Sequence, residues 1–164
     1  LKMSIIKMMD RLNPKRIVIV SSAPQIRYPD CYGIDMAKME GLIAFRAALE
    51  LLKERNQYHI VDEVYLKCKA QENFLDTEVV NYVTAIYAPF KPQEISDKIA
   101  EMLSSPEIKA EVKIIFQTVA NLHIACPKNL GDWYFTGDYP TPGGNRVVNR
   151  AFMNFYEGKD ARAY

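Results

Sequence analysis

Ile17-Val18-Ile19-Val20-Ser21-Ser22-Ala23-Pro24-Gln25-Ile26-Arg27-Tyr28-Pro29-Asp30-Cys31-Tyr32-Gly33-Ile34-Asp35-Met36 is the stretch on which the fold turns. Its first four residues form an unbroken apolar run, the pattern of a parallel-type strand buried on both faces. The chain then breaks into small residues and prolines and runs toward a helix predicted to open at Asp35. That carboxylate suits both an N-cap and the positive end of a helix. Ligands of parallel α/β sheets bind beyond the carboxyl ends of the strands. Ser21 and Ser22 are therefore candidates for a strand-end binding loop.

Upstream, Leu1, Ile5, Met8 and Leu12 fall at helical spacing, and Asn13-Pro14 stops that helix just before the strand. Helix followed by a parallel-type strand is half of a βαβ unit. The first strand is thus expected before Leu1, and the sequence reads as the C-terminal piece of a longer chain.

Downstream, Met39, Leu42, Phe45, Leu49 and Leu52 make one apolar stripe. Val61–Lys67 reads as a short strand, and Thr77–Tyr87 as a helix despite its β-branched content. Pro92, Ile95, Ile99 and Met102 predict another helix. Ser105-Pro106 predicts a long one, with Ile108, Val112, Ile115, Val119, Leu122 and Cys126 as its stripe and Pro127 as its end. Val148, Phe152 and Phe155 support a last helix. The predicted organisation is an α/β portion over 1–70 with one parallel-type strand and flanking helices, a helical region over 71–127, and an aromatic segment with a final helix over 128–164.

Composition narrows the function classes. Of 164 residues, 21 are basic and 20 acidic, without basic runs, so a nucleic-acid surface is not indicated. No apolar stretch approaches the roughly 18 residues needed to span a bilayer. Three widely spaced cysteines argue against a disulfide framework and for a reducing, cytoplasmic setting. His123 and Cys126 stand three apart and could share a metal on a helix, but no Cys-x-x-Cys pair accompanies them, and buried apolar cysteine is the better reading. Asp132–Tyr139, with its run of rings, reads as a clamp packed over the core rather than a stacking surface. Gly143-Gly144 reads as a turn.

The wording of two segments goes further. Ser22-Ala23-Pro24, Tyr32-Gly33-Ile34-Asp35-Met36 and Leu42-Ile43-Ala44, with Phe135-Thr136-Gly137-Asp138-Tyr139-Pro140-Thr141 near the other end, closely resemble the amidophosphoribosyltransferases, the glutamine phosphoribosylpyrophosphate amidotransferases. The family usually has Glu where this chain has Gly41. The resemblance implies a truncated type I phosphoribosyltransferase-like fragment. The missing N-terminal glutaminase and the rest of the transferase would be its partners in the same chain. It implies for the whole enzyme the synthesis of 5-phosphoribosylamine from phosphoribosyl pyrophosphate and glutamine with Mg²⁺, at the start of purine biosynthesis, with possible feedback by purine nucleotides. A homo-oligomer is expected.

In the family, the segment matching Tyr32, Ile34, Asp35 and Leu42 helps wall the passage for ammonia, so these four are hood or channel candidates, with holding the loop in place as the equal alternative. The acidic pair and phosphate loop of the family, and its N-terminal catalytic cysteine, have no counterpart here; no catalytic residue is assigned. Some members carry an iron–sulfur cluster. Here Asp30 follows Pro29, Cys31 is displaced by one position, and Gly131 and Tyr134 occupy the other ligand places. The chain therefore resembles the cluster-free branch, with no cofactor of its own. The rival reading is a non-catalytic helical assembly or interface element, or a regulatory nucleotide-binding module.

Overall fold

A computed structural model of the protein describes residues 5–32, 36–128 and 131–163. The predicted strand is present as β1 (Arg16–Ser21), and its partner lies downstream: β2 (Glu111–Phe116) pairs with it in parallel, in register from Arg16 opposite Glu111 to Ser21 opposite Phe116. Parallel pairing requires a crossover. Here α2 (Ile43–Glu54), α3 (His59–Ala70), α4 (Thr84–Tyr87) and α5 (Pro92–Leu103) supply it. A short α1 (Lys7–Asp10) precedes the sheet, and α6 (Val119–Ala125), α7 (Trp133–Thr136) and α8 (Pro142–Tyr156) follow it. The described residues thus form a mixed α/β fold, largely helical around a two-stranded parallel sheet.

β2 stands where one long helix was predicted, so the region 71–127 is not wholly helical. Val112 and Ile115 satisfy a helical spacing, but Glu111-Val112-Lys113-Ile114 also alternates. Val112 and Ile114 turn inward while Glu111 and Lys113 stay in solvent. A neighbouring strand that offers a full ladder decides between the two periods. The helix resumes only after Thr118, whose Oγ1 accepts the Asn121 N–H at 3.0 Å, and the predicted stripe residues Val119, Leu122 and Cys126 are not buried.

The expectation that β1 is buried on both faces is also corrected. Ile17 and Ile19 point to the core, whereas Val18 and Val20 point out, Val20 being 70% exposed. With Ile115 they make an apolar outer face, because among the described residues the helices cover only one side of the sheet. In the first helix the predicted stripe faces outward as well. Ile5, Met8 and Leu12 are exposed, and Ile6 and Asp10 are the buried pair.

The stripe Met39, Leu42, Phe45, Leu49 and Leu52 is buried throughout, but the helix does not open at the predicted point. Lys38 and Leu42 have extended backbone, Met39–Gly41 is a 3₁₀ turn, and α2 starts at Ile43. Asp35 itself lies outside the described residues. Val61–Lys67 belongs to α3 rather than a strand. Val61, Val64 and Cys68 are buried at helical spacing, so packing overrides their β propensity. Within Thr77–Tyr87 only a 3₁₀ turn (Asp76–Glu78) and α4 are helical.

α5 and α8 follow the prediction. α5 packs on both α2 and β2, and α8 brings Phe152 and Phe155 edge-on to the buried Phe45 ring at 6.2 and 4.9 Å. Edge-to-face pairs of this kind each add about 1 kcal/mol beyond the area they bury. Gly143 and Gly144 lie in the first turn of α8 instead of forming a separate turn. A β-carbon on Gly144 would stand 2.4 Å from that of Tyr139, so the close approach of this ring explains the glycine.

One buried cation tests how much such pairings matter. Lys98 on α5, 8% exposed in its side chain, donates to Glu54 of α2 at 2.7 Å and to Glu101 at 2.5 Å. Burial works to lower its pKa, but the two carboxylates outweigh it and the net shift is upward. Both carboxylates are more than half exposed, so they stay hydrated when the cation is removed. Lys98→Met is therefore expected to change the urea-unfolding free energy by no more than about 1 kcal/mol. A loss several times larger would show that the triad is a true buried ion pair.

Candidate functional site

The parallel register sets Ser21 beside Phe116, so both strands end on the same side, where an α/β sheet keeps its binding surface. Two clefts open there, one of about 220 Å³ and one of about 250 Å³. Pro24, Gln25 and Phe116 line both and form the wall between them. The smaller is walled by Ser21, Met36, Leu42, Ile43 and Ala44. The larger is walled by Arg27, Gln93, Gln117, Thr118 and Phe135.

The predicted residues divide among these surroundings. Ser21 closes a small local turn, donating from its hydroxyl to the Ala23 carbonyl at 2.9 Å, and borders the smaller cleft; Ser22 is exposed and borders neither. Leu42 is buried in the wall of the smaller cleft. Tyr32 is 60% exposed and meets the Trp133 ring edge-on at 5.8 Å, outside the described walls of the cleft. Ile34 and Asp35 lie outside the described residues. The structure thus brings Ser21 and Leu42 together and sets Tyr32 apart on the aromatic segment.

The strongest feature of the region is a clasp between two segments about a hundred residues apart. The Tyr134 carbonyl accepts the N–H groups of Arg27 (2.8 Å) and Tyr28 (3.1 Å). The Tyr134 hydroxyl donates to Asp30 at 2.8 Å, and the Tyr139 hydroxyl donates to the Pro29 carbonyl at 2.7 Å. Tyr87, from the end of α4, donates to the Arg27 carbonyl. These phenols are held neutral. Burial pushes Tyr28, Tyr87 and Tyr139 well above the ordinary tyrosine range, and burial together with the Asp30 carboxylate lifts Tyr134 to about 12. Burial and then Asp30 also raise the Cys31 thiol, opposite to what an activated nucleophile needs. The aromatic segment therefore clamps the strand-end loop, where a clamp over the core was expected.

Two residues singled out by nothing in the sequence dominate the larger cleft. Gln25 is buried, and its amide donates to the Pro92 carbonyl (2.7 Å) and to Ser96 Oγ (2.8 Å), both on α5. Its Oε1 accepts two bonds from the Arg27 guanidinium, at 3.1 Å from Nε and 2.8 Å from Nη2. That guanidinium also lies 5.3 Å from the centre of the Tyr87 ring. Among the described residues its hydrogen-bond and ring partners are the Gln25 amide oxygen and the Tyr87 ring, with no carboxylate.

His123 and Cys126 stand at the end of α6, and both are exposed. His123 Nε2 sits 2.9 Å from Asp132 Oδ2, and Cys126 is already outside the helical backbone, with φ −129° and ψ 61°. Among the described residues no three His, Cys, Asp or Glu side chains gather as metal ligands, and no step is assigned to the Mg²⁺ implied by the resemblance. No helix among the described residues is long and apolar enough to cross a membrane. Compared with protein-family models, with curated proteins and with solved structures, the chain matched none.

Proposed function

We propose that this chain is the C-terminal part of an amidophosphoribosyltransferase, the portion that walls the substrate side of the transferase site. One observation carries the reading. The segments whose wording resembles that family, Ser22–Pro24, Tyr32–Met36 and Leu42–Ala44 on one side and Phe135–Thr141 on the other, are distant in sequence, yet Tyr139 of the latter and its neighbour Tyr134 hydrogen-bond to residues 27–30, between the first two of these words. The smaller cleft adds support. Leu42, Ile43, Ala44 and Met36 give it an apolar wall suited to excluding water from a reactive intermediate. The outer sheet face of Val18, Val20 and Ile115 is a surface that further parts of an α/β domain would cover, since parallel sheets are normally covered on both faces.

In this reading ammonia released from glutamine attacks the anomeric carbon of phosphoribosyl pyrophosphate as pyrophosphate leaves. The residues here shape and dry the approach. The groups that bind phosphate and recruit Mg²⁺ belong to the upstream portion, and purine nucleotides and self-association remain part of the proposal for the whole enzyme.

The coding sequence upstream of Leu1 tests this. An apolar strand followed by two consecutive acidic residues and a Ser/Thr/Gly loop is expected within about twenty residues, the span of one helical crossover. An upstream sequence lacking that motif would remove the basis of the reading.

A further inference from the structure

We propose that the larger cleft, between Pro24-Gln25-Arg27, the first turn of α5 and the segment after β2, binds a small organic monoanion: a carboxylate carried on an apolar body. The inference rests on this cleft alone and stands whether or not the transferase reading holds.

Apart from Gln93, whose Oε1 accepts no bond among the described residues, the polar side chains of the wall have their own acceptors occupied. Gln25 Oε1 is taken by Arg27, and Ser96 Oγ by Gln25. Gln117 Oε1 accepts the Thr118 N–H at 2.9 Å, and Thr118 Oγ1 accepts the Asn121 N–H at 3.0 Å. Among the described residues, the groups left without an acceptor are the Gln117 amide nitrogen, the Thr118 hydroxyl and the remaining guanidinium N–H groups of Arg27. Gln93 turns its amide nitrogen away, to Asp97 at 2.8 Å.

Charge points the same way. Among the described residues the guanidinium is held by a neutral amide and a ring face instead of a carboxylate, which leaves its positive charge in the cleft. Partial burial lowers its pKa, as expected of a cation lacking an ion-pair partner. A planar carboxylate matches the guanidinium fork. One cation balances one negative charge, whereas a dianion would bring an unpaired charge against Pro24, Pro92, Ile115, Phe116, Val119 and Phe135. Those residues suit an apolar body, as in most small-molecule sites.

Benzoate is the probe, with benzamide as its neutral isostere and inorganic phosphate as an anion without an apolar body, titrated into ¹⁵N-labelled protein. Benzoate is expected to shift the side-chain signals of Gln25, Arg27 and Gln117 saturably. Benzamide and phosphate are expected to bind at least about tenfold more weakly, the loss of one charge-assisted contact. Arg27→Gln is expected to weaken benzoate by a similar factor while Arg27→Lys retains part of the binding. Because Arg27 also packs on Tyr87, Gln117→Ala, placed at the rim, gives a second test and should weaken benzoate a few-fold. Benzamide binding as well as benzoate, phosphate binding more tightly, no saturable shift, or full benzoate affinity in folded Arg27→Gln or Gln117→Ala would each overturn the assignment.

Discussion

Gly137→Ala is expected to lower the stability of the fold by about 4 kcal/mol, enough to remove a large part of the 5–15 kcal/mol typical of a domain. Gly137 follows α7 with φ +82°, a left-handed conformation that costs a residue with a β-carbon about 1–2 kcal/mol. Space is the second obstacle. An added β-carbon would stand 2.8 Å from Asn81 Nδ2 and 2.8 Å from Cζ of the buried Tyr28 ring. Overpacking a core in this way costs about 1–3 kcal/mol more. Neither neighbour can step aside without loss, since Asn81 donates to the Gly137 carbonyl at 3.1 Å and the Tyr28 ring is wedged against Tyr87. Gly158 supplies the control. Its φ is +66° and nothing lies within 4 Å of an added β-carbon, so Gly158→Ala should show the conformational cost alone, about 1 kcal/mol. Urea unfolding of the two variants measures the difference; equal losses would mean that the clasp yields freely at Gly137.

Asp10→Ala is expected to cost about 3 kcal/mol although Asp10 lies in a helix of one turn. Its Oδ1 accepts the N–H groups of Lys109 (3.0 Å) and Ala110 (2.8 Å), 99 and 100 residues away. Those amides lead into β2, and the next, Glu111 N–H, bonds the Lys15 carbonyl just before β1. Asp10 thus anchors the approach to the parallel pair, and truncating it leaves two donors without partners, each costing about 1–3 kcal/mol where buried. Asp10→Asn keeps an acceptor oxygen and should lose only about 1 kcal/mol, the part due to charge. An alanine variant as stable as the asparagine variant would show that water replaces the carboxylate there.

The legible and illegible parts of this fold differ for a physical reason. α2, α5 and α8 each bury a stripe repeated over three or more turns, and the period alone identifies them. β2 was misread because six residues with Val112, Ile114 and Ile115 satisfy either period, and α3 because a short run with Val61, Val64 and Tyr65 has β propensity; the decision falls to a distant partner, β1 for β2 and α8 for α3. The alternation of Glu111 and Lys113 with Val112 and Ile114 was the available signal for β2. The strand-end loop could be placed from the apolar run and the prolines. Arg27 and Gln25 could not, because their importance comes from the lack of a carboxylate around the guanidinium among the described residues, and from a contact with α5 about seventy residues away. The clasp itself was legible only as two separate wordings, since no local pattern says that Tyr134 closes on Arg27 and Tyr28.

The most direct test of the transferase assignment is phosphoribosylamine formation by the complete polypeptide that this gene encodes, supplied with phosphoribosyl pyrophosphate, glutamine and Mg²⁺. Amine formation dependent on all three is expected from the complete chain, and none from residues 1–164 alone, which hold neither an acidic pair with a phosphate loop nor an N-terminal cysteine. A folded complete polypeptide that forms no phosphoribosylamine, or activity in the isolated 164 residues, would contradict the assignment.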